Sequence, residues 1–372
     1  MKVLILSCDT GEGHNSAGRA LQDYFLRRDV ACEMYNALTF YPQLFSTLIS
    51  KGHVFVYRKL PQLFGAGYRM EEKHTSRLMI KGIEEAAEAL YHYVLGGGYD
   101  VVISVHAFPA LMATEARRRY GLRAALYFVA TDYTCSPSVN ESVMDAYFIP
   151  RGTAEEFCAC GLPAERLVES GIPVPESYYA PKDREGARRE LGIPQDGRML
   201  LLMCGSMGCG PIEELVQTLS ERMGGNARLT VVCGSNRKLY ASLREQNLPD
   251  HIQVLGFTRQ MRQLMDAADV FLSKPGGLSS TEAMVKRLPM VCIDAVPGCE
   301  TRNLQFFLKN GYATTADTVD ALAERALDLL CHPEKAEGMR RAVERDFSGC
   351  AVEDIFQYVM DHGMTTQERQ EV

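Results

Sequence analysis

Arg198-Met199-Leu200-Leu201-Leu202-Met203-Cys204-Gly205-Ser206-Met207-Gly208 decides the fold, because it repeats in mid-chain what Met1-Lys2-Val3-Leu4-Ile5-Leu6-Ser7 does at the start. Each is a short apolar strand running into a glycine-containing loop. Helical spacing follows both, with Ala17, Ala20, Leu21, Tyr24 and Phe25 after the first and a helix from about Ile212 after the second. Nearly all-apolar strands alternating with amphipathic helices are what a parallel sheet covered on both faces requires. Further strands of this kind are expected at Val101–Val105, Ala125–Val129 and Tyr147–Ile149, then at Leu229–Gly234, Ile252–Gly256 and Val270–Ser273. The expected class is α/β, two Rossmann-like doubly wound domains facing a cleft. Between them, Gly171–Glu176 and the polar stretch Ala180–Glu185 read as a linker, since prolines break regular pairing.

A chain of 372 residues suits two domains, and 46% hydrophobic with 23% charged residues is an ordinary globular composition. The net charge of −7 argues against a general nucleic-acid binder, so no nucleic-acid partner is expected. The 12 cysteines lack paired metal spacing and are read as reduced core thiols, with no metal site. Met1–Ser7 is a strand rather than a signal peptide. Residues 34–50 are uncharged, but Asn36, Pro42, Gln43, Ser46 and Thr47 break them as a membrane span.

Three polar residues follow strands of the first half: His14 in Thr10-Gly11-Glu12-Gly13-His14, His106 after Val101–Val105, and Asp132 after Ala125–Thr131. An imidazole at a helix entrance can take a proton from a bound alcohol, or simply cap and pack. Asp132 can orient an imidazole, accept a proton itself, or cap a turn. Gly11 and Gly13, with Glu33 further on, match a dinucleotide loop only in part, because Ser16 replaces its third glycine.

In the second half, Lys274-Pro275-Gly276-Gly277-Leu278-Ser279-Ser280-Thr281-Glu282 places two glycines before a helix expected near Ser279. Such a helix start presents free N–H groups to a diphosphate, and Glu282 can bond a ribose diol. Ser279 and Glu282 equally form an S-x-x-E capping box that needs no ligand. Glu300, Arg302 and Asn303 suit sugar hydroxyls or a solvated helix start. Residues 51–81 carry seven basic residues against two acidic ones, interleaved with aromatics, and read either as a surface for an anionic bilayer or as core helices with basic faces.

Together these pieces resemble the monogalactosyldiacylglycerol synthase and processive diacylglycerol glucosyltransferase family, related to the lipid I N-acetylglucosaminyltransferase. The carriers are Thr10–His14, His106-Ala107-Phe108-Pro109, Ala130-Thr131-Asp132-Tyr133, Glu169–Pro173, Val232-Cys233-Gly234-Ser235-Asn236, Leu255-Gly256-Phe257-Thr258, Lys274–Glu282 and 297–303. The resemblance implies a GT-B fold. Residues 1–172 would bind the acceptor, with a last helix at about 346–372 packing back on them, and residues 173–345 would bind a UDP-sugar. It implies an inverting, metal-independent hexosyltransferase, with no cofactor beyond the donor, acting on a lipid hydroxyl such as that of diacylglycerol. The enzyme would be cytoplasmic and peripheral at the inner membrane face.

Carried over by position, His14 is the base, Asp132 its rival or orienting partner, and His106 lines the acceptor side. Gly205, Ser206, Gly276, Gly277 and Ser279 would hold diphosphate, with Gly234 also on the donor side. Phe257 would lie by uracil, Glu282 would hold ribose, and Glu300 with Asn303 would read the sugar. The chain departs from the family at Ser136, Val139 and Cys299, and it has no tryptophan. The alternatives are a UDP-sugar epimerase or hydrolase of the same fold, or transfer to a non-lipid small molecule.

Overall fold

The structure is a computed structural model. Its described residues are 1–9, 12–41, 77–136, 138–203, 205, 210–224, 226–293, 298–347 and 349–363. They fall into two compact units, one built from Met1–Glu176 and the chain from Gly349, the other from Ser177–Val296 and Glu300–Ser348.

The first unit runs β1 (Lys2–Ser7), α1 (Glu12–Leu26), β2 (Ala31–Asn36), α2 (Arg77–Gly97), β3 (Val101–Ser104), α3 (Ala107–Tyr120), β4 (Ala125–Val129), β5 (Ala146–Phe148), α4 (Ala154–Ala159) and β6 (Leu167–Val168). The second runs α5 (Arg184–Leu191), β7 (Arg198–Met203), α6 (Ile212–Arg222), β8 (Ala227–Val232), α7 (Arg237–Glu245), β9 (Ile252–Leu255), α8 (Met261–Ala267), β10 (Val270–Ser273), α9 (Gly277–Val285), β11 (Met290–Cys292), α10 (Cys299–Asn310), β12 (Ala313–Thr315), α11 (Val319–Cys331) and α12 (Glu337–Asp346). The last helix, α13 (Ala351–His362), belongs to the first unit.

Each unit holds a six-stranded sheet, in the orders β2-β1-β3-β4-β5-β6 and β12-β11-β10-β7-β8-β9, with every pairing parallel. The α/β doubly wound class is thus correct. Side chains alternate along each strand: Leu4 and Leu6 pack with α2 and α3 on one face, while Val3 and Ile5 pack with α1 and α13 on the other. Phe356 of α13 meets the rings of Tyr24 and Phe25 at centroid distances of 5.5 and 5.1 Å. Val352, Ile355 and Val359 are fully buried beside them, and each such side chain contributes ~1.5–3 kcal/mol.

Both sheets wind outward from their first strand and then return to start again on its other side. The reversal falls between β1 and β3 in one unit and between β7 and β10 in the other. At such a point adjacent connections leave the sheet in opposite directions, and their carboxyl ends open a crevice for a ligand.

The stretch Ala180–Glu185, expected as linker, folds with the second unit. Lys182 Nζ donates to the Ala268 carbonyl at 2.6 Å, and burial pushes that ammonium down to about 8. Asp183 caps α5 by accepting Gly186 N–H at 2.8 Å. Lys182 and Asp183 remain exposed, yet each is tied to a backbone group of the second unit. Strands β2, β6, β11 and β12 had no sequence expectation; β2 is half exposed, and the others have two or three residues.

One buried cation closes this part of the second unit. Arg188 is 1% exposed and reaches the carbonyls of Pro194, Gln195, Asp196 and Gly197 at 3.1–3.3 Å, the Ala267 carbonyl at 3.2 Å and Asp269 at 3.2 Å. Removing it strands buried acceptors, so Arg188→Ala is expected to cost ~3–5 kcal/mol. Arg188→Lys should rescue little, because one ammonium cannot span that fork. The check is the urea midpoint of the second unit, and an unshifted midpoint in the alanine variant refutes the role.

Candidate functional site

In the first unit, β1, β3 and β4 are neighbours, so the residues following them gather at the winding reversal. His14, in the first turn of α1, is half-buried; its Nδ1 lies 2.9 Å from the Val105 carbonyl and 2.8 Å from Thr131 Oγ1. A carbonyl can only accept, so Nδ1 carries the proton and the lone pair is on Nε2. His106 meets this ring edge to face, with centroids 4.6 Å apart. His106 is itself the N-cap of α3: its Nδ1 accepts Phe108 N–H at 3.1 Å, which puts its own proton on Nε2.

Burial holds the His14 imidazolium below the ordinary histidine range, opposed by the Asp132 carboxylate and by the Val105 carbonyl. Next to it, Asn15 accepts from Ser7 at 2.6 Å and donates to Asp9 at 3.3 Å, and Asn36 donates to Asp9 at 2.6 Å. These bonds tie the start of α1 to the ends of β1 and β2. Glu33, the acid of the partial dinucleotide match, instead pairs with Lys2 at 3.2 Å and accepts from the Tyr99 hydroxyl.

In the second unit, β7 and β10 are neighbours across the other reversal. Gly205 follows β7 with φ +67 and Gly234 follows β8 with φ +58, a left-handed region that favours glycine. Gly276 has an ordinary φ of −76, and a Cβ there would meet nothing within 4 Å. Neither backbone strain nor packing asks for that glycine.

The capping-box account of Ser279 and Glu282 is overturned. Helix α9 starts at Gly277 with Gly276 as N-cap and no side-chain cap bond. Ser279 is therefore inside the first turn and Glu282 in the second, too far along to reach back. A helix start whose N-cap offers no side chain, together with the helix dipole, suits an anion. Asn303, wholly buried, donates to the Pro275 carbonyl at 3.0 Å and pins the turn that feeds this helix. Lys274, 5% exposed, pairs with Glu300 at 3.3 Å.

Burial raises the Glu282 carboxyl to about 7, and the Tyr178 hydroxyl bonded to it pulls back only part of that shift. Phe257, after β9, is 69% exposed. Ser206 lies outside the described residues, as do residues 51–76 of the basic segment 51–81.

Sequence reasoning quoted Thr131 and Lys274 within motifs without giving either a role, and it missed Tyr178. The only signal for Lys274 was a cation one proline ahead of the glycine pair. The electrostatics of His14 are checkable by NMR titration: its ring should titrate below ordinary histidine, and Asp132→Asn should lower it further by removing the attraction. A rise in the variant would contradict this account.

Residues 14–174 match the family model described as monogalactosyldiacylglycerol synthase, and residues 212–346 match that of group 1 glycosyl transferases. A processive diacylglycerol beta-glucosyltransferase of Staphylococcus saprophyticus is 22% identical over 92% of this chain and 88% of its own length. Among solved structures, MurG of Acinetobacter baumannii superposes with a TM-score of 0.66 at 15% identity, covering 97% of this chain and 99% of that one. S. aureus MnaA, solved with UDP, gives 0.62 at 14% identity over 96% of both chains. The chain is a glycosyltransferase of the GT-B fold, and its resemblance to the monogalactosyldiacylglycerol synthase and processive diacylglycerol glucosyltransferase family runs through both of its units.

Proposed function

We propose that the enzyme moves a hexose from a UDP-sugar to a lipid hydroxyl such as that of diacylglycerol, with inversion and without a metal. The observation that carries this reading is the start of α9: a helix entered through a glycine with open space beside it and no capping side chain, and a half-buried acid in the second turn. That is what a nucleoside diphosphate needs, anion recognition followed by a diol acceptor. The diacylglycerol acceptor of the Staphylococcus saprophyticus relative and the UDP bound to S. aureus MnaA support the choice of substrates.

In this reading residues 1–172, with the helix at 346–372, bind the acceptor and residues 173–345 bind the donor. His14 Nε2 takes the acceptor proton while that oxygen attacks the anomeric carbon, and the bond to UDP breaks in line. Asp132 favours the imidazolium so formed, and His106 Nε2–H donates toward the acceptor. Gly205, Ser206, Gly276, Gly277 and Ser279 receive the diphosphate as its charge grows, with Gly234 nearby. Phe257 covers uracil and Glu282 holds ribose. Glu300 reads the sugar, and Asn303 serves it by fixing the turn beneath.

Residues 51–81 supply the contact with an anionic membrane, each basic side chain adding ~1 kcal/mol. Among the described residues no helix is long and apolar enough to cross a membrane, consistent with peripheral attachment at the cytoplasmic face.

A matrix of UDP-sugars and lipid or small-molecule acceptors, read by mass spectrometry, tests the proposal. Acceptor-dependent glycolipid is expected, whereas donor conversion without any acceptor means an epimerase or hydrolase. His14→Ala should abolish transfer while UDP affinity stays within about twofold; wild-type turnover in that variant would transfer the base role to Asp132.

Glu282→Ala should cost ~1–3 kcal/mol of UDP binding. Binding should also depend on pH with a definite sign. Free Glu282 keeps its proton up to about 7, and ribose hydroxyls favour its carboxylate. UDP therefore expels a proton below that pH and binds more tightly as pH rises through 6 to 7. Calorimetry in buffers of different ionisation enthalpy reads the released proton. Glu282→Gln should leave only the slope due to the diphosphate itself, and an unchanged slope refutes the assignment.

A further inference from the structure

Thr131 has no role in the chemistry above, yet its hydroxyl is as close to the His14 ring as any group described. Its Oγ1 lies 2.8 Å from Nδ1, where the Val105 carbonyl lies at 2.9 Å. The residue is 7% exposed, so the hydroxyl is not a solvated surface group, and burying it without a partner would be costly.

We propose that Thr131 is the positioning residue for His14, sharing the Nδ1 proton with the Val105 carbonyl so that the ring is held in one tautomer with its lone pair on Nε2. The inference rests on the reading of His14 as the base. The carbonyl settles which nitrogen is protonated, because it has no proton to give. It does not settle how the ring is turned, since one acceptor leaves the imidazole free to swing about that bond. A second acceptor on a different strand end removes the freedom: Val105 follows β3 and Thr131 follows β4, and the N–H between them has one direction that serves both.

In a serine-histidine-aspartate triad one carboxylate both orients the ring and balances its charge. Here the two tasks are divided. Asp132, next in the chain, acts on His14 through its charge, while the neighbouring hydroxyl takes the hydrogen bond. When Nε2 accepts the substrate proton, Nδ1 becomes a charged donor and its bonds strengthen, so Thr131 also steadies the imidazolium. Among the described residues, the titratable groups facing the ring are Asp132 beyond β4 and His106 beyond β3.

Thr131→Val keeps the branched shape and removes the hydroxyl; Thr131→Ser keeps the hydroxyl. The valine variant is expected to lose about 10- to 100-fold in kcat, the usual loss when an orienting partner is removed, with KM nearly unchanged. The acid limb of its kcat profile should move to lower pH, because the imidazolium has lost an acceptor. The serine variant should restore both. Wild-type kcat and acid limb in Thr131→Val, or a serine variant as impaired as the valine one, would overturn the inference.

A second readout is independent of turnover. Histidine nitrogen-15 shifts of the folded free enzyme, assigned with His14→Gln, should show His14 protonated at Nδ1 in the wild type and exchanging between tautomers or orientations in Thr131→Val. An unprotonated wild-type Nδ1 overturns the positioning role whatever the kinetics. The expected shifts combined with full turnover by His14→Gln would leave the positioning intact and remove only the base assignment.

Discussion

Both sheets must bury strands that are apolar on the two faces, and that demand controls everything else. Leu4 and Val3 cannot both be covered unless helices lie on opposite sides of β1, so the chain has to reverse its winding between β1 and β3. The same necessity acts at β7 and β10. Each reversal leaves strand ends that no following helix fills. Polar residues there are spared the penalty of the core, and His14, His106 and Asp132 occupy one such gap as Gly205, Lys274 and Gly276 occupy the other.

The two gaps are electrostatic opposites. One disfavours an imidazolium by burial while setting a carboxylate near enough to favour it. The other has a helix start whose N-cap offers no side chain, a buried ammonium paired with Glu300, and an acid that burial raises to about 7. Elsewhere in the second unit a buried cation is fully answered, because Arg188 serves five carbonyls and a carboxylate.

Most of the sheet was legible because fully buried strands are written in unbroken apolar runs. Ala125–Val129 and Val270–Ser273 stand where those runs placed them. Strand β2 was not, since its exposed edge mixes Glu33 and Asn36 among apolar residues. Lys182 and Asp183 misled because charge in a proline-rich stretch reads as solvation, and only the fold shows a carbonyl and a helix start waiting for them. Ser279 misled for a different reason. The S-x-x-E spacing satisfies a capping box at any helix start, but glycine is permissive enough to let α9 begin two residues earlier. Thr131 was invisible beside Asp132 because a carboxylate draws the eye and a hydroxyl does not. Its meaning depends on the register that brings the ends of β3 and β4 together.

The place of α13 constrains how the polypeptide can be made. Val352, Ile355 and Val359 lie in one cluster with Val3, Ile5 and Phe25, so the earliest strand shares its cover with some of the last residues. A ribosome completes the first sheet at Val168, while the helix that finishes its cover begins only at Ala351. During that interval α1 covers that face without its later partner, and the apolar surface reserved for Val352, Ile355 and Val359 stays open to water.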